Sequence, residues 1–212
     1  RHQKLVEEAP ACNLPSGLLK ELCEKSRRMA EALNYRGLGT LEFLYQDEEF
    51  YFIEMNTRIQ VEHPVTECVT GLDLVKLQIE VSAGRGLNIL QDDISVKGHA
   101  FECRINAEDE NFNPGPGIVN NLEFPGTLGV RVDSHLYNGY ELPHQYDSLV
   151  AKLIASDVSR EAALARMQRA LGEFSVNGIE SNVELHKQIF SHERFAHGVV
   201  DTNFLQQELL NG

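Results

Sequence analysis

The 212-residue chain has no tryptophan, only four cysteines and no apolar run approaching the roughly 20 residues that span a bilayer. Its longest apolar stretches, such as residues 148–155, are broken by a charge at Lys152, so no transmembrane helix is expected. Cys12, Cys23, Cys68 and Cys103 are widely spaced and form neither a CxxC pair nor a Cys/His set with zinc spacing, which leaves reduced, buried thiols as the reading. There is no Walker-A loop and no GxGxxG opening a helix. Gly37-Leu38-Gly39 and Gly84-Arg85-Gly86 are too short to cradle phosphates, so a bound nucleotide would draw part of its site from elsewhere. Basic residues are scarce: 19 Lys+Arg against 32 Asp+Glu give a net charge of −13. That balance excludes sequence-independent binding along nucleic acid, which depends on Lys and Arg neutralising phosphates, and leaves room for a local pocket for one small anion. The chain opens on Arg1-His2-Gln3-Lys4 rather than Met, without a signal or transit composition, and is expected to be a piece of a longer polypeptide.

What is present is a globular mixture of helix and strand. Apolar positions from Leu18 to Leu33 at three- and four-residue intervals predict a helix starting at Ser16 as N-cap and stopping near Asn34. Thr40–Tyr45 and Phe50–Met55, joined by Gln46-Asp47-Glu48-Glu49, read as a β-hairpin. Helical spacing from Thr66 to Ala83 predicts one helix stopped by Gly84, and the polar stretch from Gly84 to Lys97 reads as a connection. Strands are expected at His99–Ala107, Gly117–Phe124, Gly129–His135 and Ser148–Ser156, and helices at Ser159–Phe174, Asn182–Phe190 and Thr202–Leu210. The architecture is α+β without internal repeats.

Chemistry concentrates in Glu54-Met55-Asn56-Thr57-Arg58-Ile59-Gln60-Val61-Glu62-His63-Pro64. If the strand continues, its period of two sets Glu54, Asn56, Arg58, Gln60 and Glu62 on one face. A solvent-facing strand would produce the same alternation, but such a face tends toward Lys, Glu and Thr rather than this mixture of amides, arginine and carboxylates. Glu54 and Asn56 carry the oxygens a hard cation such as Mg²⁺ takes, and Glu42, inside the otherwise apolar Leu41-Glu42-Phe43-Leu44, is a third such donor or an edge residue facing water. Arg58 offers a bidentate donor for an oxyanion, and Glu62 an acceptor able to remove a proton. In Phe101-Glu102-Cys103-Arg104-Ile105-Asn106, alternation leaves Arg104 either on the surface or in the wall of a pocket. The histidines show no metal-type spacing.

Arg1-His2-Gln3-Lys4 with Glu7-Glu8-Ala9-Pro10, Gly39-Thr40-Leu41-Glu42-Phe43, the Glu54–Thr66 block and Glu102-Cys103-Arg104-Ile105-Asn106-Ala107-Glu108-Asp109 together resemble biotin carboxylase. This family is the ATP-grasp component of acetyl-CoA carboxylase and related biotin-dependent enzymes. The resemblance continues through Tyr146-Asp147-Ser148 and Lys152-Leu153-Ile154 to Thr202-Asn203-Phe204-Leu205. It implies the C-terminal half of an ATP-grasp domain, an antiparallel sheet with helices over residues 1–95, fused to the biotin carboxylase C-terminal domain over residues 96–212. The family's Rossmann-like N-terminal domain and its glycine-rich lid are not in this sequence. By resemblance, Glu42, Glu54 and Asn56 match ligands of Mg²⁺ or Mn²⁺ bridging ATP phosphates, while His2 and Leu44 line the nucleotide site. Lys4, Arg58, Gln60 and the Val61 backbone match the bicarbonate site. Glu62 matches the base that deprotonates bicarbonate, and Arg104 the residue that stabilises the biotin enolate.

The same resemblance implies biotin borne on a carrier protein, a carboxyltransferase partner, a homodimer with Arg131 at a matching interface position, and a cytoplasmic or organelle-matrix location. The fragment alone is expected to be inactive. Other readings are a different acylphosphate-forming ATP-grasp ligase, such as a carbamoyl-phosphate synthetase, and a non-catalytic dimerisation or scaffold module. The Arg-x-Gln-x-Glu-His extension and Arg104 favour biotin carboxylase.

Overall fold

The computed structural model describes residues 4–143 and 145–210, the side chain of Ser16 excepted. Strand β1 (Val6–Ala9) belongs with the second half of the chain, so one compact unit is built from residues 4–10 and 97–210 and the other from residues 11–96.

In the unit of residues 11–96, helix α1 (Ser16–Ala32) starts directly at Ser16 and has Pro15 at the cap position, so no side chain caps it. Strands β2 (Thr40–Gln46) and β3 (Glu49–Asn56) form the expected hairpin. Its turn is Asp47-Glu48, both at positive φ (53° and 62°), the twist that two-residue hairpin turns require. Register places Glu42 directly opposite Glu54, and a bulge after Glu42 shifts the pairing so that Phe43 faces Phe52, ring centroids 5.7 Å apart. The single helix expected over 66–83 is two: α2 (His63–Thr70) and α3 (Leu74–Ser82). Gly71 ends the first in the left-handed region (φ 73°), and Asp73 caps the second by accepting from Lys76 N at 2.8 Å.

The other unit is organised by strand β4 (His99–Asn106), buried along nearly its whole length. Strand β5 (Asn121–Glu123) is short, β6 is Val130–Ser134 and β7 is Leu149–Asp157. Together they give an antiparallel sheet of order β1-β4-β7-β6, with β5 set apart. Alternation divides the sheet into two chemically distinct faces. Phe101, Cys103, Ile105, Leu153 and Ala155 enter the hydrophobic core with Met167 and Leu171 of helix α4 (Arg160–Glu173), which Ser159 caps by accepting from Ala162 N. The opposite face carries Glu7, Glu102, Arg104, Lys152, Arg131 and Asp133. Strand β8 (Ser175–Asn177) pairs with β5, and helices α5 (Val183–Ser191) and α6 (Glu193–Ala196) follow. Phe190 of α5 meets Phe101 edge-on at 5.3 Å and both are fully buried, so truncating either to Ala would cost about 3–5 kcal/mol.

Three further expectations change. The strand over Gly117–Phe124 contracts to β5 because its backbone partners switch midway: Val119 N donates to Tyr140 O at 2.9 Å, whereas Asn120 N donates to Asn177 O at 2.8 Å. The helix over Thr202–Leu210 reduces to a short helical segment closed by a wide π-type turn, Gln206–Leu210. Of the cysteines only Cys103 is fully buried, its thiol pushed well above the ordinary range by burial and then by Glu7 and Glu102; Cys23 is exposed. β1 was not expected at all. It is locked in place by Glu8, whose Oε1 accepts from Arg160 Nε at 2.7 Å and meets His99 Nε2 at 2.6 Å, while Arg160 Nη2 donates to the Phe195 carbonyl at 3.0 Å.

Candidate functional site

Two carboxylates directly opposite each other on adjacent strands repel, a cost that a sheet avoids unless something offsets it. Glu42 and Glu54 form such a pair on the hairpin, and amide donors bridge them. Asn56 Nδ2 donates to Glu54 Oε1 at 2.9 Å and to Glu42 Oε1 at 3.0 Å. Gln60 Nε2 donates to the same oxygen of Glu42, and Gln60 is itself buried. Glu42, although on an edge strand, is therefore half-buried and held from two sides instead of turned to water.

This cluster fits a hard divalent cation. It offers two carboxylates and an amide whose oxygen and nitrogen can exchange places by a flip, and one or two protein carboxylates suffice where phosphates complete the shell. Among the described residues no group of three or more His, Cys, Asp or Glu converges as a closed metal cage. Such a donor set would suit a cation whose shell is completed by a ligand. Leu44 lies on the same face of β2 as Glu42 by alternation and is half-exposed.

The strand does not continue past Asn56, so the expected five-residue polar face does not form. Residues 57–62 turn instead into α2, whose first turn contains Pro64 and whose cap position is Glu62, with no side-chain capping bond. The turn nevertheless brings Gln60 back to Glu42, as the hydrogen bond shows. It is braced by the Gln60 carbonyl, 2.8 Å from His63 Nδ1. Arg58 is exposed and donates through Nη1 to the Ile59 carbonyl at 3.0 Å; Val61 and Glu62 are half-buried.

Lys4 and Arg104 belong to the other unit. Lys4 is exposed just before β1. Arg104 is 17% exposed at its side chain and ion-paired with Glu7, Nε to Oε1 at 2.6 Å, which makes it neither a solvated surface residue nor an unrestrained one. His2, expected at the nucleotide site, lies outside the described residues.

Sequence reasoning missed the support behind Arg104. Its amide donates to Leu5 O at 2.9 Å, and its carbonyl accepts from Asn182 Nδ2 at 3.0 Å and from His186 Nε2 at 2.8 Å. Asn182 also accepts from Asn106 N at 2.9 Å through Oδ1, so the start of α5 continues the pairing of β4 beyond the end of β1. The only sequence signal was an Asn and a His four residues apart at the start of a helix, which fits a surface helix equally well.

His186 is fully buried, and burial pulls its pKa down from 6.5 to about 4 despite the Arg104 carbonyl, which favours the protonated ring. A carbonyl only accepts, so the neutral ring carries its proton on Nε2. Between pH 6.5 and 4 the unfolded chain takes up a proton that the folded one refuses. Stability present above pH 6.5 is therefore lost as the pH falls, by about 3 kcal/mol across the window. The Tm decrease from pH 7 to pH 5 is expected to be smaller in His186→Gln than in the parent; equal decreases would contradict the assignment.

Comparison with known proteins matches residues 102–207 to the family described as biotin carboxylase C-terminal domain, and residues 1–90 to the one described as carbamoyl-phosphate synthase L chain, ATP binding domain. The chain is 52% identical to biotin carboxylase of Haemophilus influenzae, covering 99% of this chain and 47% of that protein. It is 50% identical to biotin carboxylase of Pseudomonas aeruginosa, again covering 99% of this chain and 47% of that protein. Among solved structures, the biotin carboxylase domain dimer of Hydrogenobacter thermophilus 2-oxoglutarate carboxylase, in complex with MgADP, ADP and bicarbonate, aligns with a TM-score of 0.94 at 41% identity over 96% of this chain and 46% of that one. The chain spans about half the length of the curated relatives it matches. A family model covering half of its residues and relatives this similar along nearly all of it lead to one conclusion: the chain belongs to the biotin carboxylase family, with the fold of the C-terminal portion of the ATP-grasp domain joined to the biotin carboxylase C-terminal domain.

Proposed function

We propose that the chain supplies the metal, bicarbonate and biotin side chains of an ATP-dependent biotin carboxylase. The observation that carries this reading is the opposed Glu42–Glu54 pair bridged by Asn56 and backed by Gln60. On this reading residues 1–95 carry the metal–nucleotide and bicarbonate groups and residues 96–212 carry the biotin-facing arginine.

Glu42, Glu54 and Asn56 would hold Mg²⁺ or Mn²⁺, which would supply positive charge against that developing on the ATP phosphates. Leu44 lines the nucleotide site. Arg58, Gln60 and the Val61 N–H bind bicarbonate, a small anion that needs several directed donors to be held against water. Glu62 takes the bicarbonate proton, and the freed oxygen attacks the γ-phosphorus to give carboxyphosphate and ADP. Carboxyphosphate separates into CO₂ and phosphate, the phosphate accepts the N1 proton of biotin, and Arg104 stabilises the resulting ureido enolate as it attacks CO₂. The carboxylated biotin is delivered by a biotin carboxyl carrier protein to a carboxyltransferase. The active form is a homodimer, with Arg131 of the edge strand β6 in the interface; its guanidinium is already oriented by two 2.8 Å bonds to Asp133. Among the described residues no helix is long and apolar enough to cross a membrane, and we place the enzyme in the cytoplasm or an organelle matrix.

The test compares ATP turnover with bicarbonate plus free biotin against bicarbonate plus ammonia. A full-length protein carrying this chain is expected to respond to biotin and not to ammonia, and the 212 residues alone to neither. Stimulation by ammonia would favour carbamoyl-phosphate chemistry, and biotin-dependent turnover by the 212 residues alone would refute the division of labour.

A further inference from the structure

We propose that Glu7 is a positioning residue for Arg104: its carboxylate on β1 sets the orientation of the guanidinium that meets the biotin oxyanion. The inference rests on the role proposed above for Arg104 and adds a residue to which no role has been given.

The backbone of Arg104 is immobilised at both its polar groups, the amide by Leu5 O and the carbonyl by Asn182 and His186. Its side chain is long, with several rotatable bonds. Glu7 is 9% exposed, and its Oε1 accepts from Arg104 Nε at 2.6 Å, a short charge-assisted bond. Nε is the atom at which the guanidinium plane is joined to its stem, so a bond there fixes the direction of the plane as well as the position of the charge. Strand register makes the contact possible. Glu7 sits directly opposite Glu102, and Leu5, whose carbonyl is bonded to Arg104, lies two residues before it, so Glu7 and Arg104 are diagonal neighbours on the charged face of the sheet. Glu102 lies on the same face, directly opposite Glu7, and is fully buried. β1 is in turn fastened by the adjacent Glu8 to His99 and Arg160, so the carboxylate that aims Arg104 stands on a rigid support.

A group that is displaced by about 1 Å loses on the order of a hundredfold in an oriented reaction. Misaimed Arg104 would slow the biotin step but not the formation of carboxyphosphate, which then decomposes without product. The readout is therefore carboxybiotin formed per ATP consumed, measured with ¹⁴C-bicarbonate and free biotin on a full-length protein carrying Glu7→Gln, Arg104→Ala or both. Glu7→Gln is expected to lower this ratio about tenfold, Arg104→Ala to lower it further, and the double variant to fall no lower than Arg104→Ala. If Glu7→Gln does not fold, Glu7→Asp, which retracts the carboxylate by one methylene, is measured in the same way and is expected to give an intermediate ratio. A Glu7 variant that folds and keeps the parent ratio while Arg104→Ala lowers it overturns the positioning role alone, even if total activity falls. An additive loss in the double variant shows that Glu7 acts independently of Arg104 and also overturns it. An unchanged ratio in Arg104→Ala overturns the role of Arg104 and the inference with it.

Discussion

Glu62→Gln in a full-length protein is expected to lower carboxybiotin formation by roughly two to four orders of magnitude while leaving MgADP affinity within a small factor of the parent. Bicarbonate is a poor nucleophile until it loses its proton, and an amide of the same shape cannot take that proton. Glu62 occupies the cap position of α2 without a side-chain capping bond, so the helix does not lose a cap when the charge is removed. Glu42, Glu54 and Asn56, proposed above to hold the metal, lie on the hairpin, and the hydrogen bonds that Asn56 makes to the two carboxylates do not run through Glu62. Steady-state rates and MgADP titration of the purified variant check both halves of the expectation. A parent-like rate would overturn the assignment of Glu62 as the base.

Glu54→Gln is expected to act on the other partner. Removing one of two opposed carboxylates takes away charge that a divalent cation would otherwise balance, so MgADP affinity should fall at least about tenfold and the Mg²⁺ concentration for half-maximal rate should rise. The fold itself should gain slightly or stay level, because the like-charge pair with Glu42 is relieved and a Gln oxygen can still accept from Asn56. This opposition of signs, weaker metal–nucleotide binding without lost stability, is what distinguishes a site residue from a structural one. Calorimetric titration and a thermal melt of the same sample measure the two quantities. Unchanged Mg²⁺ dependence would remove Glu54 from the ligand set.

The hairpin was legible because its cues are local: β-branched and aromatic runs on either side of four polar residues, with the period of two that sets Glu54 and Asn56 on one face. The same period misled beyond Asn56. Arg58, Gln60 and Glu62 keep the alternation in sequence, but the chain turns there into α2, and Gln60 reaches Glu42 through that turn instead of along a strand. Pro64 was the available warning, since proline belongs in the first turn of a helix and has no N–H to give a sheet. The split between α2 and α3 was readable in Gly71-Leu72-Asp73, where a left-handed stop is followed at once by a capping aspartate, but helical spacing persists across it.

Long-range pairing was beyond reach. β1 is four residues long and its partner β4 begins at His99, so no local pattern announces it, and without it Glu7 is one acidic residue in a polar opening segment. Arg104 was ambiguous for the same reason. Alternation on β4 gave its face but not the strand beside it, nor Asn182 and His186, which close on its carbonyl from a helix some eighty residues further along. The family resemblance supplied what periodicity could not: it grouped Arg104 with Lys4, Arg58 and Glu62 as one reaction's side chains.

Whether these side chains activate bicarbonate for attack on the γ-phosphate of ATP can be read by following ¹⁸O from labelled bicarbonate in a full-length protein turning over with biotin. Attack by bicarbonate puts one ¹⁸O atom in each phosphate released, because the oxygen that bonds to phosphorus in carboxyphosphate stays with it when CO₂ departs. Phosphate that carries oxygen from water alone would mean that ATP is hydrolysed directly, and would contradict the roles given to Glu62 and to the bicarbonate-binding residues together.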